Sequence, residues 1–457
     1  MEALKDKKYL FEQMPIPKAY LKLSIPVILG SLVTMLYNLA DTFFVGMLGD
    51  PIQNAAVTLV FPVTLAFNAV NNLFGVGGSS MMSRSLGAGQ EEKVRITSAF
   101  SFYGALFSGL LFSFLVIAFY GPLLKVLGAS PETYEATARY LNWTVCIGAA
   151  PTILNVVQSY LVRSEGSALH ASIGTMSGCF LNILLDPIFI LPWGLNMGAA
   201  GAGLATFLSN VAACIYFLVL TLSKGKRTYV CMDIRKLKKV SRDVVAGVTT
   251  VGIPALIQNL VNVVGAAILN NFTAGFGAEA VAAMGISQKL HSFVVQIMMG
   301  AGQGVMPLVS YNYTSGNRKR MKKSIIFALS IIVPVGTALT VFYWLDAPAL
   351  IHMFIDNREI VAIGTRLLRA MCLSMVCLSV DFTTVGVFQA LGMGRYAFLY
   401  AMMRKIIMEI PLLFLLNRTY PLYGLPYAQV ASECTLALVS LFMLRRIFRQ
   451  NQDLKQV

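Results

Sequence analysis

The chain alternates between long apolar stretches and short polar loops along almost its whole length. Twelve windows contain about 20 or more mainly apolar residues, which is the length an α-helix needs to cross a bilayer. The windows are 19–45, 53–83, 95–119, 134–162, 168–191, 197–222, 244–273, 279–312, 323–345, 360–391, 396–416 and 423–444. We therefore predict an all-α integral membrane protein with twelve transmembrane helices, numbered here in chain order.

The composition supports a membrane protein. Hydrophobic residues make up 56% of the 457 positions and charged residues only 12%, too few to cover a soluble protein of this length. The first residues show no signal-peptide core with a cleavage site, so we expect the first helix to stay in the protein. Neither the seven cysteines nor the three histidines form a metal or disulfide pattern.

The formal net charge of +15 suggests nucleic-acid binding until the charges are placed, because nearly all lie in loops between the apolar windows. With twelve helices, 27 Lys and Arg residues fall on the side of the N-terminus and six on the other side. By the positive-inside rule both termini are then cytoplasmic. We expect a multi-pass protein of the plasma (inner) membrane that contacts lipid and no nucleic acid.

The two halves of the sequence repeat each other. The Ile-Pro pair at 25–26 recurs at 253–254, an offset of 228 residues, and four further matches have offsets of 226–228. Six helices per half give both halves the same orientation, related by a pseudo-two-fold axis along the membrane normal. We predict an N-lobe at 1–222 with helices 1–6, a linker at 223–243 and a C-lobe at 244–457 with helices 7–12. The basic linker is expected to be a solvated cytoplasmic loop near anionic lipid.

Two carboxylates lie inside predicted helices of the first half, Asp41 in helix 1 and Asp186 in helix 5. At the bilayer centre a carboxylate costs about 2.5–3.5 kcal/mol on insertion scales. The corresponding positions of the second half are not acids. Because an apolar residue would avoid this cost, we predict that both acids act in the function of the protein rather than only in packing.

Prolines and polar side chains accompany these acids. Pro26 in helix 1 and Pro187 in helix 5 each remove a backbone hydrogen bond, which predicts a bend in helix 1 and a local break in helix 5. For any single amide nearby, an ordinary interhelical hydrogen bond is the simpler interpretation. Two polar residues are candidates for the ion site itself, Asn182 and Thr206, and four for the substrate cavity and its support, Tyr37, Asn38, Asn155 and Gln158.

The second half carries acids of its own, Asp381 in helix 10, Glu409 in helix 11 and Glu433 in helix 12. Arg404 and Lys405 lie within helical reach of Glu409, so an internal ion pair is one interpretation. A second ion site that includes Asp381 and Glu409 is the other, and the sequence leaves both open.

The chain resembles the MATE (multidrug and toxic compound extrusion) transporters along nearly its whole length. The resemblance rests on the helix 1 pattern P-x10-YNLADTFFVGMLG from Pro26, on SRSLGAGQ at 83–90, on the glycine-rich start of helix 6 and on the duplication. The DinF-like branch of that family, which this chain looks most like, has a cation or proton site in its N-terminal lobe. The resemblance implies that H⁺ or Na⁺ binds at Asp41, Asn182, Asp186 and Thr206, with Tyr37, Asn155 and Gln158 nearby and a bend at Pro26.

The NorM-like branch instead has its cation site in the C-terminal lobe, with acids in helices 7 and 10. Here Asp381 is similar to the helix 10 acid, but helix 7 contains Gln258, Asn259 and Asn262 and no acid. This half-match leaves a second site open.

The residues and the resemblance together predict a secondary active multidrug exporter without a cofactor, expected to be a monomer. It would exchange lipophilic cationic compounds for H⁺ or Na⁺ by alternating access. A lipid-linked oligosaccharide flippase of the same superfamily is the alternative, although it would need a cationic cavity and the embedded acids outnumber the embedded bases. A membrane-embedded enzyme is disfavoured, because the sequence shows no catalytic arrangement of His, Ser or metal ligands.

Overall fold

The computed structural model describes residues 8–453, and no β-strand occurs in this part of the chain. Twelve helical segments account for most of it. They are α1 (Ile16–Gly46), α2 (Pro51–Gly87), α3 (Glu91–Ala118), α4 (Tyr134–Ile147 and Ala149–Ser164), α5 (Ala168–Ile190), α6 (Ala199–Lys224), α7 (Arg242–Ala274), α8 (Ala278–Thr314), α9 (Arg318–His352), α10 (Arg358–Cys372 and Met375–Ala390), α11 (Gly394–Met402, Met403–Glu409 and Ile410–Thr419) and α12 (Leu425–Asp453). The two parts of α4 meet at 49° and those of α10 at 46°.

Each predicted transmembrane segment corresponds to one of these helices. Between residues 8 and 453, nine helices are long and apolar enough to cross a membrane, and the bent helices α4 and α10 raise the number to 11. The remaining helix, α11, differs because Arg404, Lys405 and Glu409 interrupt its apolar sequence, yet its backbone is helical from Gly394 to Thr419. The chain is a multi-pass membrane protein.

The two prolines of the candidate site lie inside unbroken helices. Pro26 is within α1, and α5 continues through Pro187 to Ile190. The predicted break in helix 5 is therefore wrong. Pro187 lies in the last turn of α5, where the Leu191 N–H still donates to the Pro187 carbonyl at 3.3 Å, so the loss of one bond does not end the helix there.

The helices form two compact units. Unit 1 consists of Met1–Gln13 and Leu29–Leu256, and unit 2 of Met14–Ile28 and Ile257–Val457. The first half of α1 thus belongs to unit 2 and the first half of α7 to unit 1. The two exchange points lie 228 residues apart, the same offset as the sequence repeat. The lobe boundaries at residues 222 and 244 remain a prediction drawn from the order of helices along the chain.

Two glycines allow the first halves of α1 and α7 to pack closely against the other helices of their units. In unit 1, a Cβ atom on Gly77 of α2 would lie 2.3 Å from the Val248 carbonyl oxygen in the first half of α7. In unit 2, a Cβ atom on Gly304 of α8 would lie 2.4 Å from Ser24 Oγ in the first half of α1. At both positions the neighbouring helix leaves room for the hydrogen atom of glycine but not for a Cβ atom. The GVGGSS run at 75–80 therefore serves close helix packing at Gly77, which small residues permit in membranes.

The linker between α6 and α7 belongs to unit 1 and packs against its helices. The buried Glu165 carboxylate, in the loop after α4, accepts hydrogen bonds from the Thr228 hydroxyl at 2.9 Å and from the Tyr229 N–H at 2.7 Å. Further along, Lys236 Nζ lies 2.6 Å from Glu92 Oε1 on α3. The expectation of a solvated loop is therefore wrong for residues 228–230, which are buried, whereas basic residues on both sides of them, such as Arg227 and Arg235, are exposed.

Candidate functional site

Asp186 is fully buried in α5, and an amide of the same helix holds it. Asn182 precedes it by one helical turn, so the two side chains lie on one face. With the amide oriented so that both its atoms are satisfied, Asn182 donates to Asp186 Oδ2 at 2.9 Å and accepts from the Thr206 backbone N–H at 3.1 Å. The other carboxylate oxygen, Oδ1, is buried without a hydrogen-bond partner.

Asp41 supplies the second acid from near the end of α1. Its Oδ1 atom is also buried without a hydrogen-bond partner, and it lies close enough to Asp186 for the two carboxylates to interact electrostatically. Tyr37, one turn earlier, is within electrostatic range of both acids, and its hydroxyl is 3.5 Å from the Thr206 hydroxyl. Thr206 of α6 therefore links the polar residues of α1 with those of α5.

The network continues from α6 into α4. Asn155 Nδ2 donates to Asn210 Oδ1 at 3.0 Å, and Asn210 Nδ2 donates to the Thr206 carbonyl at 2.9 Å. Asn210 is a member that the sequence reasoning missed. The available signal was its position four residues after Thr206, on the same face of the helix.

Tyr140 is a second missed residue. It lies in the first part of α4, is buried, and interacts electrostatically with Asp41 and Asp186. A Cβ atom on Gly203 of α6 would lie 3.3 Å from the Tyr140 ring, so this glycine lets α6 approach the tyrosine. The glycine-rich run at 198–203 therefore packs helices beside the site. Nothing in the sequence separates Tyr140 from the other tyrosines.

Three predicted residues lie apart from this network. Asn38 is exposed, and Gln158 is buried with its Oε1 atom unpartnered. Pro26 is 15 residues before Asp41 on α1, which corresponds to about 22 Å along a helix. Any effect of Pro26 on the acids must therefore act through the course of α1 and not through contact.

The electrostatic character of this site is acidic and unbalanced. Among the contacts that the structure describes for Asp41 and Asp186, the partners are amides, hydroxyls and each other, with no Lys or Arg. A buried carboxylate without a cationic partner is expensive in low dielectric, so it favours uptake of a proton or a small cation. Within residues 8–453, no group of three or more His, Cys, Asp and Glu side chains is placed to hold a metal ion.

Unit 2 contains a second buried polar cluster, in which acids face bases. Arg404 Nε of α11 lies 3.1 Å from Glu433 Oε1 of α12. The neighbouring Lys405 Nζ lies 2.5 Å from Glu409 Oε1 within α11. The internal ion pair proposed for Glu409 is thus confirmed for Lys405, whereas Arg404 pairs with Glu433 instead.

Asp381 of α10 is bound by hydroxyl groups. Tyr400 and Ser440 both donate to its Oδ1 atom, the serine at 3.3 Å, and the two hydroxyl oxygens are 2.7 Å apart. Glu433 lies within electrostatic range of this carboxylate. Asp381 and Glu409, the two residues of the possible second ion site, therefore have different immediate partners.

Comparison with known proteins gives a consistent result. The profile of the MatE family matches residues 26–188 and 254–415, two segments that begin 228 residues apart. The chain is 31% identical over 442 residues to the "Multidrug export protein MepA" of Staphylococcus saprophyticus and 32% identical over 445 residues to that of Staphylococcus aureus strain MRSA252, covering 96% of both chains in each case. A solved structure described as an outward-facing multidrug resistance MATE family transporter of the MOP superfamily matches with a TM-score of 0.90 and 26% identity, over 98% of both chains. The double match of the profile confirms the internal duplication.

Proposed function

The chain belongs to the MATE family of membrane transporters, and from this premise we propose that it is a multidrug exporter driven by cation antiport. Membership of a transporter family excludes the membrane-embedded enzyme. The names of the MepA relatives favour export of small molecules over the flippase alternative. The proposed substrates are lipophilic cationic compounds, and the proposed coupling ion is H⁺ or Na⁺.

The observation that carries this proposal is the uncompensated pair of acids in unit 1. Asp186 is fully buried, and one oxygen of each acid has no hydrogen-bond partner. The two carboxylates interact electrostatically, so the charge on one affects proton or cation uptake at the other. We propose that the pair takes up H⁺ or Na⁺, with Asn182 and Thr206 completing the site. Asn155 and Tyr37 would hold the surrounding helices in register.

The proposed cycle couples occupancy of this site to the shape of α1. When a cation binds, the hydrogen bonds around Asp41 and Asp186 change, α1 bends at Pro26, and the substrate is released to the outside. The position of Pro26 supports this step, because α1 passes from unit 2 to unit 1 after Ile28, two residues beyond the proline. A missing backbone hydrogen bond at such a point lowers the resistance of the helix to bending.

We also propose the branch of the family, the orientation in the membrane and the oligomeric state. Acids in the first half support the DinF-like branch, and the distribution of Lys and Arg supports a plasma-membrane protein with both termini in the cytoplasm. We take the functional unit to be a monomer. The ion pairs of Glu409 and Glu433 support a structural role for the cluster in unit 2, so the coupling site is proposed in unit 1 alone.

The test is ethidium transport by the full-length protein in proteoliposomes, under an imposed pH gradient or an imposed Na⁺ gradient. We expect transport to follow one of the two gradients and to be lost in Asp41→Asn, which keeps the size of the side chain and removes its charge. The matched control is Glu279→Gln, which removes the charge of an exposed carboxylate in the first turn of α8 and should transport like the wild type.

Two other outcomes of the transport measurement would contradict parts of the proposal. Transport that persists in Asp41→Asn would contradict the coupling site and move it to Asp381. An absence of transport under either gradient, with folded protein, would contradict antiport of this substrate class and favour the flippase alternative.

A further inference from the structure

Two cysteines meet inside unit 2. Cys377 lies at the start of the second part of α10, just after the bend, and Cys434 lies on α12. The Cys377 thiol donates to Cys434 Sγ, and the two sulfur atoms are 3.2 Å apart. The chain separation of 57 residues means that the contact joins two different helices. Both are free thiols, as are the other five cysteines.

The pair is accessible to small reagents. Both side chains are only partly buried, in contrast to Cys372 on the first part of α10, which is fully buried and donates to the Arg369 carbonyl. Thiols at membrane depth meet lipophilic compounds dissolved in the bilayer. A reagent of that kind can therefore reach Cys377 and Cys434 more readily than Cys372.

The thiols also adjoin the polar cluster of unit 2. Cys377 precedes Asp381 by one helical turn, and Cys434 directly follows Glu433 in sequence. Both acids lie within electrostatic range of Cys377. A covalent bond between the thiols would therefore fix α10 and α12 at the point where Asp381 and Glu433 approach each other.

We propose that Cys377 and Cys434 form a dithiol site that is oxidised to a disulfide by organic hydroperoxides in the bilayer, and that this bond slows transport. In the reaction, the sulfur of one thiol attacks the outer hydroperoxide oxygen, the O–O bond breaks and the S–H proton passes to the leaving alkoxide, giving a sulfenic acid and an alcohol. The second thiol then displaces water from the sulfenic acid and forms the S–S bond. The balance is one hydroperoxide and two thiols giving one disulfide, one alcohol and one water.

The disulfide would slow transport because it prevents α10 and α12 from moving relative to each other. The bend of α10 lies between Cys372 and Met375, immediately before Cys377, so the disulfide would hold the second part of α10 against α12. Conformational steps often limit the turnover of such cycles. This effect on rate rests on the proposed transport function, whereas formation of the bond does not.

The first measurement is chemical. Full-length protein in liposomes is treated with cumene hydroperoxide, digested, and analysed by mass spectrometry for a disulfide between the peptides that contain Cys377 and Cys434. Phenylarsine oxide gives an independent test of proximity, because one arsenic atom forms bonds to two thiols and releases one water. We expect both products in the wild type and in Cys372→Ser, the matched control on the same helix, and neither in Cys377→Ser or Cys434→Ser.

The second measurement is ethidium transport by the same samples. We expect oxidation to lower the rate about tenfold in the wild type and in Cys372→Ser, and dithiothreitol to restore it. Both single variants at the dithiol should be insensitive to the hydroperoxide.

Absence of both the disulfide and the arsenic adduct in folded wild-type protein would overturn the site. Formation of the disulfide without any change in transport rate would overturn its effect on the cycle. If the protein moves no ethidium under any gradient, the proposed function fails while the chemical test still decides whether the dithiol exists.

Discussion

The buried polar clusters of the two units differ in how their charge is balanced. In unit 1, Asp41 and Asp186 are surrounded by amides and hydroxyls. In unit 2, Glu433 faces Arg404 and Glu409 faces Lys405, whereas Asp381 is bound by the Tyr400 and Ser440 hydroxyls. Both units descend from one repeated sequence, as the double match of the family profile shows. Asp41 and Asp186 thus have no fixed cationic partner, whereas Glu433 and Glu409 each face a base of the same unit.

This difference separates a site that must bind something from one that need not. A fixed ammonium or guanidinium neutralises a buried carboxylate permanently, so no ion has to enter or leave. An unpartnered carboxylate is neutralised only by a proton or a cation from solution, and its environment changes at every exchange. We therefore propose ion exchange for unit 1 and a structural role for the ion pairs of unit 2, and three predictions test this proposal.

The largest effect is expected from neutralising one acid in each unit. Asp186→Asn should lower gradient-driven transport of ethidium more than about tenfold, equivalent to about 1.4 kcal/mol of coupling. Asp381→Asn keeps an acceptor for Tyr400 and should leave the transport rate within about twofold, since it removes no exchangeable site. Equal losses in the two variants, measured in proteoliposomes at matched protein levels, would refute the contrast between the units.

A large effect on stability is expected in unit 2. Arg404→Gln leaves Glu433 buried without its cation, which typically destabilises a protein by about 3–5 kcal/mol. The double variant Arg404→Met, Glu433→Leu removes both charges and should recover most of the loss. The measurement is the apparent melting temperature in detergent, and a double variant no more stable than Arg404→Gln would show that the ion pair is not the cause.

The smallest effect concerns the amide network of unit 1. Asn210→Ala removes the hydrogen bonds to Asn155 and Thr206, and such interhelical bonds average about 0.6 kcal/mol, with a maximum near 1.7. We expect a small drop in melting temperature and about a threefold lower transport rate, because Thr206 contacts the coupling site. Asn271→Ala, whose side chain is exposed on α7, is the control, and an effect as large as that of Asn210→Ala would argue against a specific role for the network.

Much of the fold follows from the sequence because a bilayer permits few solutions. A helix that crosses the bilayer must be long and apolar, so the twelve segments were predictable. The repeat was predictable because matching residues recur at a nearly constant offset. The acids were predictable because their cost in hydrocarbon is high, and their isolation makes them stand out. Asn182 could be placed beside Asp186 because one helical turn separates them on the same helix.

Contacts between helices were less predictable. Asn210 and Tyr140 join the site through the packing of α4 against α6, which the period of a single helix does not encode. The docked linker was missed for another reason: its basic residues suggested a solvated loop, while Glu165 binds a backbone N–H that has no sequence signature. The partner of Arg404 was misjudged because helical spacing favours Glu409, and the approach of α12 brings Glu433 closer.

The exchange of the first halves of α1 and α7 has a consequence for cutting the chain. A break in the linker would give a front fragment that carries residues 14–28 of unit 2 and lacks residues 242–256 of unit 1. The rear fragment would lack residues 14–28 of unit 2 and carry residues 242–256 of unit 1. Neither fragment contains a whole unit. Gly77 would lose its contact with the first half of α7, and Gly304 its contact with the first half of α1. The two pieces would thus complete each other only when made together, so the transporter is suited to fragment complementation and unsuited to expression as separate halves.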